Sequence, residues 1–417
     1  MTTVASTVRN HLPVARHATQ VLQGPDGKAR IHGLDLARGL AVIGMIGAHV
    51  DTPQDLSWSP STWQALVYGR SAALFGVLAG VSIALLSGGT RPAAGDDLIR
   101  ARMRIMVRGA CVFVIGGLLE LLGTHIAVIL TVYAILFFLA LPFLQWSPGR
   151  LLLLAGGLAL FAPPVSLLLS QILLVADGEQ GFHALMLTGA HPALWWWVFV
   201  LVGLAIGRLD LSALQVRRLL LVAGGATAVA GYALGWLSTQ LVANGVAYPE
   251  PIDAYERMPG WNEESVGQWD WTWLTGAQPH SGTPLWLLAS AGFAAAVIAV
   301  CLVVADAFPR LSYPIASVGA MALTVYSLHV VAFWVFPTAS DADWTMWIAF
   351  TAGAAVFAVG WRLLAGRGPL ERVVAWSANR AAGLTDRPAA LELDLRTAAS
   401  ESAIASSGRH AQTYDTD

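Results

Sequence analysis

Few side chains in this sequence can do chemistry, and most of them interrupt apolar runs. His49 ends the run GLAVIGMIGAHV, and Asp51 follows two residues later. An imidazole near a carboxylate can act as a general base, or as a nucleophile that carries an acyl group. It can equally be a histidine at a helix end, bonded to a carbonyl. Arg70 is expected about two turns inside an apolar span (62–86), counted from its outer end and away from the other basic residues, and Glu120 is a candidate partner for it. A guanidinium buried there needs a carboxylate, a set of carbonyls or an anionic ligand. Arg70 and Glu120 therefore read either as a structural ion pair or as part of a site that stabilises negative charge. His125, Tyr133, Tyr326 and His329 are further polar groups in apolar surroundings. A lone histidine in such a place is more often packed and hydrogen-bonded than catalytic.

Other charged groups have simpler readings. Asp35, Arg38 and His49 share one helix face, with Asp35 and His49 ~21 Å apart along it. Asp35–Arg38 reads as an ion pair at a helix start. Arg100, Arg102, Arg104 and Arg108 could hold the phosphates of a nucleotide-type donor, but they are also where a basic membrane flank belongs. Residues 244–283 are acidic and carry Trp261, Trp269, Trp271 and Trp273. That mixture suits carbohydrate faces, and also an interfacial aromatic belt. The sequence contains no Walker A, HExxH or CxxC motif, so neither an ATP-driven pump nor a zinc hydrolase is supported and no metal site is expected. Cys111 and Cys301 fall inside apolar runs, which argues against a disulfide.

These residues need elements to position them, and composition says which. The chain is 56% hydrophobic and 12% charged, with a mean hydropathy of +0.61. Soluble domains carry about 25% charged residues, so too few charges are present to cover a globular surface of this size. Continuous apolar runs of about 20 residues recur, as helices crossing a bilayer require. The expected fold is all-α: a polytopic bundle with spans near 34–51, 62–86, 105–122, 125–144, 150–175, 193–208, 218–243, 284–305, 315–336 and 344–364. Basic residues recur beside the end of every even-numbered span, while the loops 52–61, 176–192 and 337–343 have none. The 244–283 loop has only Arg257 among six carboxylates. Ten spans with both termini in the cytoplasm follow from that alternation. Residues 1–28 and 377–417 read as disordered cytoplasmic tails around a membrane domain at 29–376. Gly76 and Gly80, and Gly39, Gly44 and Gly47, read as close-packing positions.

The segment RIHGLDLARGLAVIGMIGAHV (30–50) resembles the first helix of a family of polytopic acyltransferases. That family includes heparan-alpha-glucosaminide N-acetyltransferase and the bacterial YeiB-like proteins. GRSAALFGVLAGVSIALLSGG (69–89) resembles the second helix of actinobacterial members. PHSGTPLW (279–286), GAMALTVYSLHVVAFW (319–334) and RGPLERVV (367–374) are similar to the YeiB-type C-terminal region, long labelled as domain of unknown function 418. The resemblance implies transfer of an acyl group from acyl-CoA to an acceptor, usually a sugar. The glucosaminide enzyme depends on a histidine in the loop after its first helix. Here that loop, DTPQDLSWSPSTW (51–63), has none. Either His49 has taken the role or the chemistry differs.

The expectation is a multi-pass plasma-membrane acyltransferase that moves an acetyl-type group from acyl-CoA to an extracytoplasmic glycan or small molecule. His49, Arg70 and Glu120 are its candidate catalytic residues. Asp51, His125, Tyr133, His280, Tyr326 and His329 are candidates for substrate binding, and Arg38, Arg104 and Arg108 for the donor phosphates. No permanently bound cofactor and no nucleic-acid partner are expected. Membrane lipid is a partner, and a homo-oligomer is compatible with the sequence. The alternative is a transporter or flippase, in which Arg70, Glu120 and His329 would line a substrate path or proton relay.

Overall fold

The computed structural model describes residues 31–50, 63, 65–177, 184–188, 191–242, 271–337 and 344–383. Among them there is no strand. The α-helices in chain order are α1 His32–Ala48, α2 Arg70–Leu86, α3 Gly95–Glu120, α4 Leu130–Ala140, α5 Pro148–Asp177, α6 Ala193–Ile206, α7 Leu214–Leu241, α8 Pro284–Ala307, α9 Pro309–Ala320, α10 Ala322–Val335, α11 Trp344–Ala365 and α12 Pro369–Ala381. Each apolar run expected to span a membrane contains a helix or a helix pair. By length and composition, α5, α7, α8 and α11 can each cross a bilayer, and α9 with α10 forms a fifth candidate bent by 72°. α2, α4 and α6 are apolar but shorter. This is an all-helical membrane protein.

Small residues set how closely the helices approach. A β-carbon at Gly80 would collide with the Val200 carbonyl, and one at Gly203 with the Val77 carbonyl, so α2 and α6 meet backbone to backbone. Gly319 and Gly39 do the same for α9 and α1: a β-carbon at Gly319 would strike the Asp35 carbonyl. In lipid, such van der Waals contact replaces the hydrophobic drive that packs soluble helices. α1 is thereby held among α2, α8 and α9, and its last turn carries His49 into the interior of the bundle.

Polar groups finish the helix ends. Arg208, just after α6, donates to the carbonyls of Ala84, Gly89 and Leu144 and to the Ser87 hydroxyl. One guanidinium so satisfies carbonyls that the ends of α2 and of the turn after α4 leave open. Arg217 pairs with Asp306 at 2.7 Å and ties α7 to α8. At the break before α10, Glu371 accepts from the Thr324 amide at 3.0 Å and from its hydroxyl at 2.6 Å. The carboxylate therefore caps α10, where a helix N-terminus favours negative charge. Glu371 lies in the first turn of α12, an amphipathic helix that buries Val374, Ala375 and Ala378. The domain boundary expected at residue 376 falls inside this helix, because its 3.6-residue apolar period continues to Ala378.

Candidate functional site

His49 follows α1, whose end it caps. Its Nδ1 lies 3.1 Å from Nε2 of His329, which α10 presents from inside the bundle. The two rings are nearly parallel, with centroids 5.2 Å apart. His125, in the turn between α3 and α4, brings its Nε2 to 3.4 Å from the His49 carbonyl. Phe333 sets its ring edgewise against all three imidazoles. One turn before His329, Tyr326 packs on its ring at 4.8 Å, and its hydroxyl accepts from the Ile129 amide at 3.4 Å. Four of the residues expected to bind or react thus form one cluster from three distant parts of the chain. His329 and Tyr326 are almost wholly buried.

A second cluster adjoins the first. Its centre, His280, is buried and has φ +58°. A left-handed backbone is uncommon for a residue with a side chain and is concentrated at functional sites. The loop is fixed by Thr283, whose hydroxyl accepts from the Trp286 amide to cap α8 and donates to the Gly276 carbonyl. Pro284 supplies the first residue of the helix. Tyr68, His191, Trp196 and Trp286 surround the His280 ring, with centroids 5.3–6.1 Å away. His280 Nδ1, Trp196 Nε1 and Trp286 Nε1 are buried and have no hydrogen-bond partner among the described residues. Unpaired polar atoms inside a protein are uncommon, and three in one aromatic box make it a candidate site for a polar ligand. His191 and His280 are close enough to His49 to act on it electrostatically, so the two clusters are neighbours. Burial lowers the pKa of His280, which lies in the loop before α8, to about 4.

Several expectations change. Arg70 does not lie two turns inside a helix; it is the first residue of α2, because Gly69 at φ +67° turns the chain immediately before it. Arg70 does not meet Glu120. It donates to the Tyr232 hydroxyl at 2.9 Å and the Ala65 carbonyl at 2.9 Å, and its guanidinium stacks over the Tyr232 ring. Tyr232 in turn bonds Ser290. Glu120 is exposed and accepts from Thr131 at 2.8 Å. Glu120 ends α3, which faces α4 rather than α7, so the expected pair is corrected to Arg70–Tyr232 and Glu120–Thr131. Tyr133 is close enough to Tyr326 of the cluster to feel it electrostatically, and its hydroxyl donates to the Ala72 carbonyl at 2.8 Å, a structural bond between α4 and α2. Arg38 binds Asp35 at 2.8 Å, as the spacing indicated, and also the Ser82 hydroxyl. Arg104 and Arg108 are one turn apart on α3 and partly buried. Asp51, Trp261 and Trp269 lie outside the described residues. Among those that are described, no group of three His, Cys, Asp or Glu is arranged to hold a metal.

Sequence reasoning passed over His191, Trp196, Trp286 and Tyr232. A signal for His191 was present: the basic-residue alternation puts it at the same end of the bundle as His49. Residues 30–238, half of the chain, match the family model described as heparan-alpha-glucosaminide N-acetyltransferase, catalytic. No curated protein matches the chain.

Proposed function

Since the chain belongs to the heparan-alpha-glucosaminide N-acetyltransferase catalytic family, we propose that it transfers an acetyl-class acyl group from acyl-CoA to an extracytoplasmic acceptor, with the His49–His329 pair as its reacting centre. The observation that carries this reading is the 3.1 Å contact between the two imidazoles. A neutral imidazole has one donor and one acceptor nitrogen. When His49 Nδ1 donates to His329 Nε2, His49 Nε2 is left bare and basic. His329 then fixes the tautomer and orientation of His49 and steadies the imidazolium that forms, as a second group does for other general bases.

In the direct route, His49 takes a proton from the acceptor amine or hydroxyl. The acceptor atom attacks the thioester carbonyl, the C–S bond breaks, and the departing thiolate takes up the proton. In the relayed route, His49 Nε2 attacks the thioester carbonyl, the C–S bond breaks, and the thiolate leaves with the proton that the acylated ring gives up; the acceptor atom then attacks the acyl-imidazole carbonyl, the C–N bond breaks, and the acceptor's proton ends on the freed imidazole. Both routes bring the donor from the cytoplasmic side, and ten spans with cytoplasmic termini in the plasma membrane are the topology that suits them. Arg38, Arg104 and Arg108 would then hold the donor phosphates. The aromatic box around His280 receives the acceptor. Trp faces suit an apolar sugar face, and the unpaired Trp196 and Trp286 N–H groups suit its oxygens. Arg70 is a positioning residue: it holds Tyr232 and Ser290, while Gly69 beside it lies against Pro279 and His280.

The test is thiol release from acetyl-CoA by the purified full chain, with glucosamine and related amino sugars as acceptors. Release that depends on acceptor, and drops in both His49→Asn and His329→Ala, is the expected result. Wild-type rates in both variants would remove the pair from the mechanism. Movement of an unmodified solute by the reconstituted protein, with no thiol release, would favour the transporter.

A further inference from the structure

His329 belongs to two places at once. One side of it meets His49. It also lines a cavity of about 570 Å³ between α1, α10 and α11, a size at which small-molecule sites are found. Every other lining side chain is apolar or is glycine, among them Ile46, Phe336, Phe350, Gly353 and Phe357. A sugar would leave its hydroxyls unpaired against such walls, at a cost paid for each group. An aliphatic chain fits them. The room comes from small residues on α11: a β-carbon at Gly353 would have nothing within 4 Å.

The orientation of the groove says which chain. Its α11 wall runs from Met346 to Phe357, ~16 Å along the helix axis. Along α10 it begins near Phe336 and descends past His329 to Val325. His329 therefore stands part-way down the wall, with the groove continuing toward the α9–α10 break. α11 is among the least covered helices of the bundle, with Ile348, Val356 and Leu364 exposed. In a bilayer those residues face lipid. A lipid of the outer leaflet, diffusing sideways to this face, would have its head group at the level of His49 and its chain pointing down the groove. A donor arriving from the cytoplasm would have to pass its chain out of the bundle core to reach the same space.

We propose that the groove between α10 and α11 holds the aliphatic chain of a lipid-anchored acceptor, so that the acceptor's head group is delivered to the His49–His329 pair from within the membrane. This rests on the acyl-transfer reading above and adds to it the class of acceptor, an amphiphile with a hydroxyl- or amine-bearing head.

The experiment uses the full chain in nanodiscs and three diazirine-tagged probes: glucosyl diacylglycerol, phosphatidylcholine and palmitoyl-CoA. Expected is labelling of the 325–336 and 346–357 peptides by the glycolipid, displaced by untagged glycolipid. Gly353→Trp and, separately, Ala349→Leu should each cut that labelling about tenfold. Equal labelling by phosphatidylcholine would mean bulk lipid only and would overturn the proposal. Labelling by palmitoyl-CoA in place of the glycolipid would assign the groove to a donor chain and overturn it as well. Undiminished glycolipid labelling in both well-folded variants would place the lipid elsewhere. Thiol release from acetyl-CoA by the unaltered protein, measured in parallel, reads the acyl-transfer function on its own. If it is absent while groove labelling stands, the enzymatic reading fails; if it is present while labelling is absent, the lipid groove fails.

Discussion

His49 and His329 are 280 residues apart in the chain, and their imidazole nitrogens are 3.1 Å apart in the fold. On the proposed reading neither ring acts alone: one sets the tautomer of the other. If the two work as a unit, their losses will not add. His49→Ala and His329→Ala should each lower acyl transfer about a hundredfold or more, and the double variant should be little worse than either single one. Initial-rate measurement on the three purified variants gives the answer. Multiplicative losses would mean that the residues act independently.

Arg70 should couple to Tyr232 and not to Glu120. Arg70→Lys keeps the charge but loses the fork that reaches Tyr232 and the Ala65 carbonyl together. A double-mutant cycle between Arg70→Lys and Tyr232→Phe should show about 0.5–3 kcal/mol of interaction in stability. The same cycle with Glu120→Gln should show none beyond error. Thermal unfolding in detergent provides the readout. Coupling to Glu120 alone would restore the ion pair that the sequence first suggested.

The His280 loop should make stability depend on pH in one direction. Burial depresses this imidazole to about 4, against about 6.5 in the unfolded chain. The unfolded state therefore binds the proton more readily. Its contribution is complete above about 6.5 and is lost progressively as pH falls toward 4. The neighbouring, half-buried His191 also resists charging, through desolvation and the nearby His280, which steepens the fall. Tm should drop over that window, and His280→Gln should flatten the drop. A flat Tm between pH 6.5 and 4 in the unaltered protein would contradict the buried neutral ring.

Topology is testable without reference to chemistry. In intact cells, single cysteines replacing Ser57 and Gln180 should react with an impermeant maleimide, and those replacing Gly95 and Ser212 should react only after permeabilisation. Reaction of the Gly95 replacement from outside would invert the arrangement and put the histidines on the donor's side.

Much of the helical architecture was legible because apolar length is a local signal. The close-packing role of Gly39, Gly76 and Gly80 was readable for the same reason, since lipid leaves few other ways to hold helices together. His49, His125, Tyr326 and His329 could be singled out as costly polar groups in apolar runs. Their meeting could not be read, because it depends on the bend between α9 and α10 and on how α1 sits against both. Arg70 shows the opposite failure. Hydropathy placed it deep inside a span, but Gly69 starts the helix one residue before it, and hydropathy does not register a positive φ. Its true partner, Tyr232, was hidden because a tyrosine among apolar neighbours looks like ordinary core.

The carboxylate of Glu371 that caps α10 has a consequence for biosynthesis. Chains are made at about 5–20 residues per second, so ~15–60 s separate the emergence of His49 from that of His329. During that interval the first half of the chain, including the whole segment matching the family model, can insert with an imidazole that lacks its partner. The helix bearing His329 receives its cap only when residue 371 arrives, within the last described helix. The histidine pair is thus completed near the end of synthesis, and a chain released early carries the family's signature without the centre proposed for it.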